Sequence, residues 1–299
     1  MLVGAAGLGV PPHAADLILL EIRLPRTLLA ILVGGGLGLT GAVLQGYLRN
    51  PLAEPGIIGI AGGAGLGAVL AIHSGASAAF VLALPLGGLL GAAIAMVGVL
   101  LLAGPRSGGL SLILAGVAIS SLSSALISGV LALSRNPFAA VEIVFWLLGS
   151  LADRSLTHVW LAVPFIVAGS AMLLTSGTAL DALTLGSDVA ANLGIDQARL
   201  RLKIVTGATL VVGAATAVAG IIGFVGLVVP HLLRPLVGHV PSRLLPASLL
   251  GGAALLLAAD LVLRIVTPAG ELRLGVVTAL IGTPFFLWLV VRSRRELEP

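Results

Sequence analysis

Residues 24–46 read LPRTLLAILVGGGLGLTGAVLQG, and after Arg26 the stretch carries no charge. The hydrocarbon core of a bilayer is about 30 Å thick and asks for about 20 apolar residues of helix, because every backbone N–H and C=O must be satisfied within the segment. The stretch therefore predicts a membrane-crossing helix, and its glycines predict close neighbours. Eight further stretches read the same way, at 57–72, 80–103, 111–133, 157–175, 204–222, 223–238, 245–266 and 273–291. Two of them, 57–72 and 223–238, are short and glycine-rich, the pattern of half-length or tilted helices held among neighbours rather than facing lipid. The apolar run Val141–Leu151 is too short to span and reads as a helix lying at the surface. The fold class is all-α, a polytopic transmembrane helical bundle of about nine spans in one domain, residues 1–299. Leu2–Val10 is too short to cross or to serve as a signal segment, and is expected to be the tail of a helix that begins upstream.

Composition agrees and removes several chemistries. Of 299 residues, 58% are hydrophobic and 9% charged, where soluble domains carry about a quarter charged. The net charge of +4 comes from few titrating groups, so the basic footprint of a nucleic-acid binder is missing. Lys203 is the single lysine, which excludes a phosphate-binding loop of the G-x-x-x-x-G-K type and with it ATP hydrolysis by that route. No cysteine is present, so thiol catalysis, iron–sulfur clusters and disulfides are excluded. His13, His73, His158, His231 and His239 stand far apart, which argues against a metal site. Ser120, Ser121, Ser123, Ser124 and Ser128 could supply a nucleophile, or could bond back to their own helix and pack small against another.

Cytoplasmic loops carry the excess of Arg and Lys. Arg49, Arg106, Arg199, Arg201, Lys203, Arg234, Arg243, Arg292, Arg294 and Arg295 fall on one side; Arg23, Arg26, Arg135, Arg154, Arg264 and Arg273 fall on the other. The majority side, with the C-terminus, is expected in the cytoplasm, and the arginines left outside suggest that something there wants positive charge. Acids at membrane depth are costly and mark ion-coupled carriers. Only Asp260 falls inside an expected span, a turn from its outer end, while Glu54 and the others read as loop residues. That disfavours a proton or sodium symporter and leaves a pathway whose energy comes from another subunit. The polar insert 181–203 reads as two short helices broken at Gly194-Ile195-Asp196, with Leu183, Leu185, Val189, Ala190 and Leu193 forming an apolar face. Either its own bundle or a docked cytoplasmic protein must cover that face.

Six ordered motifs carry a resemblance over essentially the whole chain. They are Ile22–Arg26 with LVGGGLGLTGAVLQ, then RNPLAEPG at 49–56, LILAGVAIS at 112–120, LTLGSDVAANLGI at 183–195, GFVGLVVPHLLR at 223–234, and LLAADLVLR at 256–264 followed by Glu271–Val291. Together they resemble the FecCD-type permeases of bacterial ABC importers, which carry iron chelates, haem or vitamin B12 inward. The resemblance implies ten-helix subunits, so that the first helix is expected to precede this sequence, paired as a homodimer or a like heterodimer in the bacterial cytoplasmic membrane. It implies two ATP-binding subunits inside, which hold the ATP and magnesium, and a substrate-binding protein outside, with no cofactor, metal or catalytic residue in this chain. Arg23, Arg26 and Arg264 match arginines that pair with glutamates of the binding protein, an arrangement that suits bidentate carboxylate recognition. Lipid headgroups are the other partner open to them. Asn50, Leu52, Gly109 and Leu110 match a cytoplasmic gate, although Gly109 and Leu110 stand where the vitamin B12 member has hydroxyl side chains. Leu183, Leu185, Gly186, Val189, Ala190, Leu193 and Gly194 match the coupling helices that sit in the ATPase dimer. Arg273 departs from the proline common after Glu-Leu. The alternative is a carrier or channel that works without ATP.

Overall fold

The computed structural model describes residues 18–104, 108–266 and 272–295; Leu2–Val10, Arg106 and Glu271 lie outside them. A π-turn, Ile18–Arg23, leads into α1, Leu24–Leu48, where Pro25 occupies a first-turn position that needs no N–H donor. A short 3₁₀ turn, Pro55–Ile58, precedes α2, Ile60–His73, and α3, Ala83–Ala103, and α4, Gly109–Leu133, follow. Next come α5, Pro137–Leu147, and α6, Leu156–Leu174, then the short pair α7, Gly177–Thr184, and α8, Ser187–Asn192. The chain ends with α9, Gln197–Ala219, α10, Val225–Leu233, α11, Pro241–Val266, and α12, Leu274–Arg295. No strand occurs among the described residues.

Seven described spans are long and apolar enough to cross a membrane: Ile18–Leu48 with α1, then α3, α4, α6, α9, α11 and α12. The two segments read as half-length are α2 and α10, and α5 is the short helix expected at 134–156. Helix α5 is not purely a surface element, because Ile143 and Trp146 are buried against Ala68, Val69 and Ile72 of α2 while Phe138 and Phe145 stay exposed. The span expected to begin at 204 begins at Gln197, so Arg199, Arg201 and Lys203 ride on the first turns of α9. Asp196 caps that helix, its carboxylate accepting from the N–H groups of Ala198 and Arg199 at 3.0 and 3.1 Å.

The centre of the bundle is α1 and α9, with 78% of each apolar window buried, against 22–33% for α3, α4, α6, α11 and α12. Lipid tails are as apolar as leucine, so close packing rather than water exclusion holds such helices together. Helix α1 therefore meets α11 through small residues: a Cβ on Gly34 or Gly38 would collide with the carbonyls of Gly252 or Ser248. Helix α9 unwinds at Gly220, where φ is +73°, and the backbone runs non-helically to Phe224, at φ +67°, before α10 starts. Irregular backbone at membrane depth is tolerated only where it is buried in protein or lines a polar cavity.

Glu54 corrects the expectation that it lies in a loop outside the membrane. It lines a cavity of about 180 Å³ together with Val33 and Leu37 of α1 and Val212 and Thr216 of α9. Leu37 is eleven residues from the end of α1, a depth of about 16 Å at 1.5 Å per residue. The segment after α1 thus turns back into the bundle. There the Glu54 carboxylate accepts from the Phe224 N–H at 2.5 Å, satisfying a donor at the start of the broken helix. Gln45 holds the same helix from the other side: its amide donates to the carbonyls of Gly226 and Leu227 at 3.3 Å and accepts from Arg234 at 2.6 Å.

Candidate functional site

Functional candidates collect at the two ends of the bundle. At one end the first turn of α1 meets the last turns of α11. Arg26 donates through Nε to Asp260 Oδ1 at 2.8 Å, its Nη2 lies 2.6 Å from the same oxygen, and Arg264 Nη2 lies 2.6 Å from Oδ2. The Asp260 side chain is 3% exposed and the Arg26 and Arg264 side chains 17% and 19%. Two cations on one carboxylate leave one positive charge, and Arg264 Nε is buried without an acceptor. Arg26 and Arg264 are therefore brought together, but as an ion triad that ties α1 to α11 rather than as extended side chains. Arg23, a turn earlier, is half-buried. The four-residue spacing of Asp260 and Arg264 signals their pairing in the sequence; the partner on α1, 234 residues away, has no such signal.

The same end holds a second pair of arginines. Arg154 follows the loop after α5, and Arg273 immediately precedes α12. The loop and α12 are joined by the Gly275 N–H donating to the Gly149 carbonyl at 3.3 Å, and the loop is tied to α9 by the Ser150 N–H donating to the Ala219 carbonyl at 2.7 Å. The Nε of each arginine is buried with no hydrogen-bond partner, and Arg273 Cζ lies 5.2 Å from the centre of the Phe145 ring. Burial pulls the Arg154 guanidinium below its ordinary range; nearby Asp153 opposes this and the positive charge of Arg273 adds to it. Both belong to the arginines expected on the outer side, and neither matches a docking residue.

At the opposite end lie the residues matched to gate and coupling. Arg49, at φ +48°, closes α1, and the Asn50 side chain accepts from the Leu52 N–H at 2.9 Å in a local turn. Gly109 starts α4 against the Leu48 side chain, and Leu110 is 70% exposed. Gly109 and Leu110 share a cavity of about 590 Å³ with Leu48, Leu183 and Ser187, so half of the gate set adjoins the insert while Asn50 and Leu52 do not line that space. The insert bends twice, at Gly186 with φ +118° and at Gly194 with φ +85°, conformations that favour glycine. Its apolar face is divided. Leu183 and Ala190 are buried in the bundle, whereas Leu185, Val189 and Leu193 are 66%, 41% and 63% exposed. Asp181 anchors the element by accepting from the Ser242 N–H at 2.9 Å, and the Gln197 amide donates to the Ser187 carbonyl at 2.9 Å. Among the described residues no cluster of His, Asp and Glu could hold a metal ion.

Residues 4–292 match the FecCD transport family. The chain belongs to that family. It is 42% identical over 285 residues to the ferric enterobactin transport system permease protein FepD of Escherichia coli, covering 93% of this chain and 83% of that one. It is 41% identical over 280 residues to the vitamin B12 import system permease protein BtuC of Vibrio cholerae, covering 91% and 82%. A solved ABC transporter structure, described as metal-chelate type and inward-facing, superposes with a TM-score of 0.89 at 36% identity, covering 97% of this chain and 93% of that one. As a FecCD protein the chain is a transport permease with the helical fold of ABC importers.

Proposed function

We propose that this permease moves an iron chelate, haem or a corrinoid across the bacterial cytoplasmic membrane, driven by ATP that other subunits hydrolyse. The observation that carries the reading is the divided face of the insert. Leu183 and Ala190 anchor α7 and α8 to the bundle while Leu185, Val189 and Leu193 stand outward on the two-helix element, the form of a lever that a soluble motor can grip. Two ATP-binding subunits, carrying the ATP and magnesium, dock on that end, which lies in the cytoplasm with the C-terminus. Closure of the ATPase pair shifts the insert and through it the helices around Gly109, Leu110, Asn50 and Leu52, a population shift supplied by differential binding. The arginine-rich end faces outward. There Arg23, Arg26 and Arg264 receive carboxylates of a substrate-binding protein, the last two through donors that Asp260 leaves unused. A second permease subunit, a copy of this one, completes the pathway.

Glu54 is the one feature an ion-coupled carrier would need, since it lies at membrane depth. Its carboxylate is committed to the Phe224 N–H, which fits a structural cap better than a relay. Uptake of a haem or corrinoid cargo by vesicles holding the permease, the ATP-binding subunits and the binding protein tests the reading. Uptake is expected only with ATP and all three components; equal uptake without ATP refutes it.

A further inference from the structure

Arg154 and Arg273 are a pair of cations to which the reading above gives no role. Each has a buried Nε without an acceptor, and no ion pair within the described residues involves either guanidinium. Asp153 lies near enough to Arg154 to influence it without pairing. Two like charges held together, partly desolvated and short of acceptors are costly unless an anion joins them. Phe145 below Arg273 fixes that guanidinium by its ring face and leaves the edge of the planar fork for a partner.

What lies beside the pair indicates the rest of that partner. An open groove of about 600 Å³ is lined from Gly275, two residues beyond Arg273, and Leu148 to Phe224 and Pro284; the arginines stand at the Gly149–Gly275 junction beside it and not in its wall. Its wall is largely apolar, with Thr283 and the unwound backbone at Ile221, Gly223 and Phe224 as the polar parts. Irregular backbone at membrane depth is tolerated where it is buried in protein or lines a cavity; here the Phe224 N–H is held by Glu54 and the broken segment forms part of the wall of the groove, which on the proposed importer function is part of the transport route. Its size falls in the range of about 300–1,000 Å³ typical of small-molecule sites. We infer that Arg154 and Arg273 form an oxyanion-binding lip at the outer mouth of this groove, selecting cargo that joins a largely apolar body to carboxylates. This rests on the proposed importer function, which it deepens by naming the cargo's charge.

Haemin has two carboxylates on a flat apolar ring, and haemin dimethyl ester has the same ring with both esterified. Binding of the two probes is measured on the permease in nanodiscs of zwitterionic lipid, for the wild type, Arg154→Gln with Arg273→Gln, and Arg154→Lys with Arg273→Lys. The wild type is expected to prefer the free acid by roughly tenfold or more, the effect of one or two charged hydrogen bonds. The glutamine pair is expected to lose that preference and the lysine pair to keep part of it. A ratio between two ligands is insensitive to the amount of folded protein. Equal binding of acid and ester by the wild type overturns the inference, as does a preference that survives in the glutamine pair. Retention of phosphatidylglycerol that depends on both arginines, without discrimination between the probes, also overturns it and makes the pair a lipid site. Because no nucleotide enters the assay, these results are separate from the ATP-dependence test of the importer reading.

Discussion

Two arginine clusters sit at the same end of the bundle and differ in one respect. Arg26 and Arg264 share Asp260, which is buried and contacted by both at 2.6 Å; Arg154 and Arg273 have no such carboxylate among the described residues. The first cluster joins α1 to α11, the pair already packed through glycines, and much of its charge is consumed internally. The second joins a loop to the start of α12 beside a groove and keeps its charge for something else. A counter-ion supplied by the chain makes a cluster structural, and a counter-ion withheld leaves it receptive. Counting arginines on one side of the membrane cannot make that distinction.

The largest expected effect comes from removing the counter-ion. Asp260→Ala should destabilise the protein by about 3–5 kcal/mol, because it leaves two guanidiniums facing each other in a mostly buried site. Thermal unfolding of the detergent-solubilised variant measures this, and a melting temperature equal to wild type would show the triad to be ornamental. Giving the second cluster a carboxylate is the converse change. Phe145→Glu, placed under Arg273, should stabilise by up to about 1 kcal/mol, the scale of a partly exposed pair, while reducing the preference for haemin over its ester. Loss of discrimination without any rise in melting temperature would mean that the ring itself, not the vacant charge, makes the site. The smallest effect concerns Arg23, a turn before the triad. Arg23→Glu should weaken association with the binding protein by about 0.2–1 kcal/mol, more at low salt than at high. Affinity that is the same at both ionic strengths would remove Arg23 from the docking surface.

Much of the bundle is legible in one dimension because hydrocarbon imposes a simple rule on composition. The long spans, the half-length segments at α2 and α10 and the short α5 all follow from runs of apolar residues and their lengths. The insert's helices are legible as well, yet its apolar residues form one face on paper and two in space: Leu183 and Ala190 turn inward, while Leu185, Val189 and Leu193 turn outward. The turn at Gly186 separates Leu185 from the helix that carries Val189 and is capped by Leu193, so no single helical periodicity relates them. Glu54 is the sharpest case. It follows RNPLA in a polar segment with no apolar run and reads as a loop acid, but the chain folds back and places it at the level of Leu37, on the N–H of Phe224.

Taken alone, the sequence determined that the chain lives in a membrane, that it is all helix, where most helices begin and end, and that it lacks the residues for hydrolysing ATP through a lysine-bearing phosphate loop. Those properties depend on local composition and length. Only the tertiary structure decided which charges are spent and which remain, since Asp260 meets Arg26 across 234 positions and Arg154 comes within electrostatic reach of Arg273 across a loop–helix junction. Electrostatic pairing depends on distance in space, and in a bundle of antiparallel helices that distance is set by packing rather than by separation along the chain.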